Sequence, residues 1–187
     1  MKIIGLCGSV RRASFNLMLL NAAVEAAPQG TSIEIESIRD IPLYDGDVEA
    51  ERGIPPAVAE LKDRIARADG LLLVTPEYNG SLPGVFKNAI DWLSRPGSDI
   101  PRVFGMKRVG LIGATPGPAG TRLSQTAWLP VLRTLGTLPY FGTRVLVSSA
   151  GKAFDEGGKL QDPAARAQLE KFMRGFSEFV ARYAARA

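Results

Sequence analysis

The sequence predicts an α/β protein, a doubly wound, three-layer sandwich built on a five-stranded parallel sheet. Two observations carry that expectation. Short runs rich in Val, Ile and Leu alternate along the chain with longer stretches whose apolar residues recur at helical spacing. Runs such as Leu71-Leu72-Leu73-Val74 are apolar at every position, so both faces of the strand need cover, as in a parallel sheet with helices on each side.

The strands are expected at residues 2–7, 32–38, 71–75, 108–114 and 144–148, and the helices at 14–26, 55–68, 85–94, 120–135 and 163–184. The opening apolar segment breaks at Gly8-Ser9; it is too short for a signal-peptide core and reads as a buried first strand. Ser14 is placed to cap the first helix. The stretch 41–53 carries Asp45, Asp47, Glu49 and Glu51 without any metal-ligand spacing, and is expected to be a solvated loop. In the second helix Val58, Leu61, Ile65 and Ala68 share one face while Glu60, Lys62, Asp63 and Arg67 take the other. Pro55-Pro56 opens that helix and Gly70 follows its end. Nothing resembling a repeat, low-complexity tract or long linker divides the chain, so residues 1–187 are expected to form a single domain.

Composition narrows the function. At 187 residues, 45% hydrophobic and 22% charged, the chain can bury a sizeable core. No apolar run approaches the ~20 residues that span a bilayer, so no membrane role is expected. The one cysteine, Cys7, lies inside the first strand; it cannot form an intrachain disulfide and reads as a small buried hydrophobe rather than a nucleophile. That usage fits a reducing, cytoplasmic compartment. There is no histidine, which removes Ser-His-Asp triads, Cys-His pairs and His-ligated metals together. Net charge is +4, with a pI near 9.4. The basic residues are scattered (Arg11-Arg12, Lys107-Arg108, then Arg166, Lys171, Arg174, Arg182 and Arg186 interleaved with Glu170 and Glu178), so no nucleic-acid partner is expected. A mildly positive field suits phosphorylated cofactors.

In a doubly wound sheet, ligands bind outside the carboxyl ends of the strands, where strand order reverses. The first loop there reads Gly8-Ser9-Val10-Arg11-Arg12-Ala13-Ser14-Phe15-Asn16 and runs straight into a helix. Gly8 permits a tight turn, Ser9 and Ser14 bring hydroxyls, Arg11 a planar cationic fork and Asn16 an amide. Free N–H groups at the helix start favour an anion, although Ser14 alone reads as a cap. The loop lacks both G-x-G-x-x-G and a Gly-Lys-Ser/Thr ending, which points to a mononucleotide. The second loop, Thr75-Pro76-Glu77-Tyr78-Asn79-Gly80-Ser81-Leu82-Pro83-Gly84, is rigid by composition. It either presents amides to a flat ring with Tyr78 as a wall, or is a structural turn. The third, Thr115-Pro116-Gly117-Pro118-Ala119-Gly120, leaves room for close approach but says little alone.

Two segments resemble the NADPH-dependent FMN reductase family, particularly its chromate- and quinone-reductase branch. GSVRRASFN, from Gly8 to Asn16, is similar to the family's G-S-x-R-x-x-S-x-N phosphate loop. TPEYNGSLPGVFKNAIDWLSR, from Thr75 to Arg95, is similar to P-E-Y-N-x-S-x-P-G-x-x-K-N-A-I-D-W. The resemblance implies a flavodoxin-like fold with non-covalent FMN, reduced by NADPH or NADH and reoxidised by a small-molecule acceptor: quinones, free flavin, azo compounds or oxidised metal ions such as chromate. By position, Ser9, Arg11, Ser14, Phe15 and Asn16 would hold the phosphate and its tail. Pro76, Glu77, Tyr78 and Asn79 would line the isoalloxazine, mostly through backbone groups, with Thr115 and Gly117 as further contacts. It also implies a homodimer or homotetramer with 87–92 near the contact, where Trp92 is either a core or interface aromatic or a pocket residue. Gly80 and Gln125 stand where some relatives carry aromatics, which implies a wider access side. No acid–base residue is implied, since hydride passes through the flavin. The alternatives are a flavodoxin-like electron carrier, disfavoured by the basic pI, and a nucleotide-binding module without redox activity.

Overall fold

The computed structural model describes residues 1–184, so Arg186 lies outside the described residues. Three apolar strands form its centre: β1 (Lys2–Cys7), β3 (Gly70–Val74) and β4 (Arg108–Ala114). They pair in parallel, Leu6 opposite Leu73 and Leu72 opposite Gly110, with β2 (Ser32–Glu36) on the outer side of β1. The sheet order is β2-β1-β3-β4, followed by a fifth lane. That lane is divided. A two-residue strand, β5 (Leu138–Pro139), pairs with the start of β4, and β6 (Val145–Val147) pairs with its end. The expected five lanes are therefore present as six strands. The break follows Pro139, which has no N–H to donate to a ladder, and Tyr140 turns onto Phe172 with ring centroids 5.4 Å apart.

Alternation along each strand sorts its side chains between two cores. Ile4, Leu6, Leu71, Leu73 and Val109 face α3 (Pro56–Arg67), α4 (Gly84–Leu93) and α6 (Arg122–Thr134). Ile3, Cys7, Leu72, Val74 and Ile112 face α1 (Phe15–Glu25), the short α7 (Ala150–Ala153) and the long α8 (Pro163–Ala184). Full burial of aliphatic chains on both faces, at ~1.5–3 kcal/mol each, is what holds the sheet rigid. Trp92 is fully buried, donates its indole N–H to the Pro42 carbonyl (2.9 Å) and meets Tyr44 edge-on, so it is a core residue. No helix among the described residues is long and apolar enough to cross a membrane.

The acidic stretch expected to be a solvated loop contains a helix, α2 (Gly46–Arg52). None of its residues is buried, so no apolar period marked it in the sequence. Polar ties hold it instead: Asp45 caps it by accepting from the Asp47 N–H (2.9 Å), and Glu49 accepts from Arg95 Nε (2.9 Å) and the Tyr44 hydroxyl (2.9 Å). Buried Lys107 closes the end of α3, donating to the carbonyls of Ile65 (2.8 Å) and Ala68 (2.6 Å); its burial pushes the ammonium down to about 8.

A short turn at Gly97–Asp99 leads into α5 (Ile100–Val103) and docks against α3 through charge. Asp99 accepts from Arg102 Nε (2.6 Å) and from the buried Lys62 ammonium (2.7 Å), while Arg102 also reaches Asp63 (2.8 Å). The Arg102 donors, and then Lys62, hold the Asp99 carboxyl well below the usual carboxylate range. With a depressed folded-state pKa, the unfolded chain takes up its proton first as pH falls. The contribution is therefore full at neutral pH and drains away below about pH 4. Asp99→Asn should lower the melting temperature at pH 7 by several degrees and flatten the decline between about pH 4 and pH 2. Superimposable acid profiles for the two proteins in thermal melts would refute this.

Candidate cofactor site

From β1 the chain runs through α1 to edge strand β2, then crosses back over β1 to β3. Order therefore reverses between β1 and β3, and the loops leaving their carboxyl ends part to form a crevice. The pocket there encloses 60 Å³. It is lined by Ser9, Arg11, Ser14, Phe15 and Asn16 from the first loop and α1, Pro76, Glu77 and Tyr78 from the second, and Ala114, Thr115 and Pro116 from the third. Nine of the eleven residues singled out in the sequence thus meet at one place. Asn79 and Gly117 do not line it.

The first loop is built to receive an anion. Ser14 caps α1, its Oγ accepting from the N–H groups of Asn16 (3.2 Å) and Leu17 (3.4 Å). The backbone N–H groups of Arg12, Ala13, Ser14 and Phe15 meet no acceptor among the described residues, and the Arg11 guanidinium has neither ion pair nor hydrogen bond there. Orphaned donors at a helix start, beside a free guanidinium, fit a phosphate. Cys7 lies beneath this loop with its Sγ 3.5 Å from the Ser9 carbonyl oxygen, and burial pushes its thiol pKa up.

Two residues have structural roles that the sequence did not show. Asn16, expected as an amide donor to the ligand, lines the pocket and is buried, and its amide pairs with β4: Nδ2 donates to the Ala114 carbonyl (2.8 Å) and Oδ1 accepts from the Ala114 N–H (2.9 Å). It locks the first loop to the third. Gly8, expected to permit a tight turn, is required by packing, since a Cβ there would stand 2.2 Å from the Phe86 ring.

In the second loop, Tyr78 and Ser81 exchange both backbone hydrogen bonds (3.0 Å each) around Asn79 and Gly80, whose φ values are 51° and 71°. This Asn-Gly hairpin needs positive φ at both central residues, which explains both. Tyr78 is left 45% exposed at the pocket wall. The Glu77 carboxylate points away, accepting from the N–H groups of Leu123 (2.8 Å) and Ser124 (3.1 Å) at the start of α6. Buried Thr75 fixes the loop from below: its Oγ1 accepts from Trp128 Nε1 (3.0 Å) and lies 2.9 Å from Ser124 Oγ. Sequence reasoning missed this tie, because nothing local links residue 75 to residues 124 and 128. In the third loop, Gly117 accepts from the Ser149 N–H (3.0 Å) and donates to Thr115 Oγ1 (3.4 Å), anchoring the loop rather than opening it.

A sheet of this order with an anion cradle at its reversal point defines a flavodoxin-like protein that takes a mononucleotide. The chain belongs to the NADPH-dependent FMN reductase family, whose model matches residues 1–152. It is 41% identical over 181 residues to an NAD(P)H-dependent FMN reductase of Pseudomonas aeruginosa, covering 97% of this chain and 96% of that one. It is 36% identical to a 2-hydroxy-1,4-benzoquinone reductase of a Burkholderia species, covering 96% of each. Its fold matches FerB, a flavoenzyme NAD(P)H:(acceptor) oxidoreductase of Paracoccus denitrificans, with a TM-score of 0.86, 30% identity and 97% of each chain covered. The protein is thus an FMN-dependent NAD(P)H oxidoreductase, and the electron-carrier alternative is not favoured.

Gly8→Ala should press Phe86 into Trp128, whose ring centroid is 5.0 Å away, and cost about 1–3 kcal/mol of stability. Loosening of the adjacent loop should weaken FMN retention at the same time. A variant with unchanged melting temperature and flavin content would show that Phe86 gives way freely.

Proposed function

We propose that FMN binds non-covalently in this crevice and that the protein uses NADPH or NADH to reduce small-molecule acceptors, quinones foremost. The observation that carries the reading is the set of orphaned N–H groups and the free Arg11 at the end of β1. Ser9, Arg11, Ser14 and Phe15 form the phosphate cradle, partly through backbone. Pro76, Glu77, Tyr78 and Thr115 flank the ring, while Asn16, Asn79 and Gly117 shape the loops. The enclosed 60 Å³ suits a phosphate-bearing tail, well below the ~300–1,000 Å³ of pockets that swallow a whole ligand. Tyr78, half-exposed at the open side of the pocket, would flank the ring.

The chemistry FMN supplies when bound is two-electron transfer between a nicotinamide and an acceptor. This chain's residues bind and orient. Arg11 neutralises the phosphate, and the two prolines and the Asn-Gly hairpin hold the second loop still. Thr75 and Glu77 fasten that loop to α6. With no histidine in the chain and the Glu77 carboxylate committed to a helix end, no side chain at the pocket is set up as a general base. Quinones are favoured by the Burkholderia relative's activity; free flavin, azo compounds and chromate are further acceptors. Residues 1–187 act as one cytoplasmic domain, assembled as a homodimer or homotetramer. Exposed Phe141 (72%) and Leu123 (55%) are apolar surface that such a contact would cover.

Anaerobic titration with each nicotinamide, then rapid mixing with a quinone panel, tests the reading; flavin that is not bleached by either donor would sink it. Arg11→Ala should weaken FMN affinity by about ten- to a hundredfold, the contribution of a hydrogen bond to a charged group. Unchanged affinity by calorimetry would remove Arg11 from the cradle. Light scattering at micromolar concentration should give two or four chains, and a fully active monomer would overturn the assembly.

A further inference from the structure

The first loop has a second side. Behind the cradle, between this loop and the residues that follow β2, lies a separate cleft of 260 Å³. Ser9 and Arg11 line both cavities, so the two are neighbours across one strip of backbone. Three guanidinium groups border the second cleft: Arg11, Arg12 and Arg39. None of the three has an ion pair among the described residues. Arg39 is set in place by donating to the Val10 carbonyl, which braces the end of β2 against the first loop.

The opposite wall is apolar. Leu17 and Ile35 line it, and Ile35 is left 38% exposed although it sits in a strand. The only carboxylate in the lining is that of Glu36, and Arg64 Nη1 neutralises it at 2.5 Å. Position matters here. In Rossmann dinucleotide sites, whose glycine fingerprint this chain lacks, an acid beyond the first βα turn accepts from the ribose 2′-hydroxyl, while a nearby Arg accommodates a 2′-phosphate; the same pairing chemistry applies at this cleft. In this chain the acid is already paired, and two arginines without ion pairs, Arg12 and Arg39, line the cleft with it.

We propose that this cleft takes the 2′-phosphoadenosine end of the nicotinamide donor, with Arg12 and Arg39 on the 2′-phosphate and the base against Leu17 and Ile35, so that NADPH is preferred to NADH. The inference rests on the oxidoreductase reading above. Its volume is that of part of a ligand, as expected when the nicotinamide end lies over the flavin pocket next door.

The test uses FMN-loaded protein. Calorimetry with 2′-AMP and 5′-AMP should show 2′-AMP binding about tenfold or more tightly, with the flavin absorbance unchanged. Arg12→Ala should abolish that difference and raise KM for NADPH by about tenfold, leaving kcat and the KM for NADH within about twofold, and Arg39→Ala should abolish the preference for 2′-AMP in the same calorimetry. Equal affinities for the two nucleotides, release of FMN by 2′-AMP, or equal losses with both donors would overturn the assignment. The first and third outcomes would mean that no 2′-phosphate is read, and the second that the anion entered the FMN cradle. Absence of turnover with either donor in the unaltered protein would instead strike the oxidoreductase reading, and the nucleotide calorimetry would still decide the cleft.

Discussion

The site depends on one buried side chain. Asn16 stands at the start of α1 and Ala114 at the end of β4, 98 residues away along the chain, yet the amide satisfies both backbone groups of Ala114. β4 has no further strand pairing at that residue on the β3 side, since β3 ends opposite Ile112. Without the amide, a buried N–H and a buried carbonyl would lose partners, at about 1–3 kcal/mol apiece. The clamp thus does more than stabilise. It sets the distance between the anion-binding loop and the third loop, and so the width of the crevice.

Other ties repeat that logic around the rim. Thr75 hangs the second loop from α6 through Trp128 and Ser124, and Glu77 closes the exposed start of the same helix. Each uses a polar group that the fold would otherwise strand, either at a strand end or at a helix end. The result is three loops held by hydrogen bonds running outward to the scaffold, with the donors of the first loop left free to face inward. A flavin pocket needs that division, because orientation is the protein's main contribution to cofactor chemistry.

What the sequence revealed was what is local. Apolar runs gave the sheet and its cover, and the helices at 55–68 and 163–184 fall within a residue of α3 and α8. The loop order and nine of the crevice-lining residues were also legible, because the hydroxyls, Arg11 and the helix start of the first loop stand in consecutive residues. Long-range bonds were not. The ends of the Asn16–Ala114 clamp lie 98 residues apart in the chain, and the tie of the Glu77 carboxylate to the start of α6 spans 46, so neither could be read locally. Gly8 is a glycine because of Phe86, which no turn rule could show. Helix α2 escaped because it buries nothing, and β5 because it is two residues long, whereas β6 in the same lane falls within the strand expected at 144–148.

The same loop borders two cavities. Arg11 borders both, whereas Arg12 lines only the second, with Arg39 braced against Val10. The Arg-Arg pair thus places charge along the strip of backbone that separates the two cavities. A positive field is then spread across both mouths of the crevice, while the acids nearest to it are occupied: Glu77 by the N–H groups of α6 and Glu36 by Arg64. The net charge of +4 is therefore uninformative by itself but meaningful in placement. Anionic cofactors meet uncommitted cations at the carboxyl edge of the sheet, and the carboxylates close by already have partners.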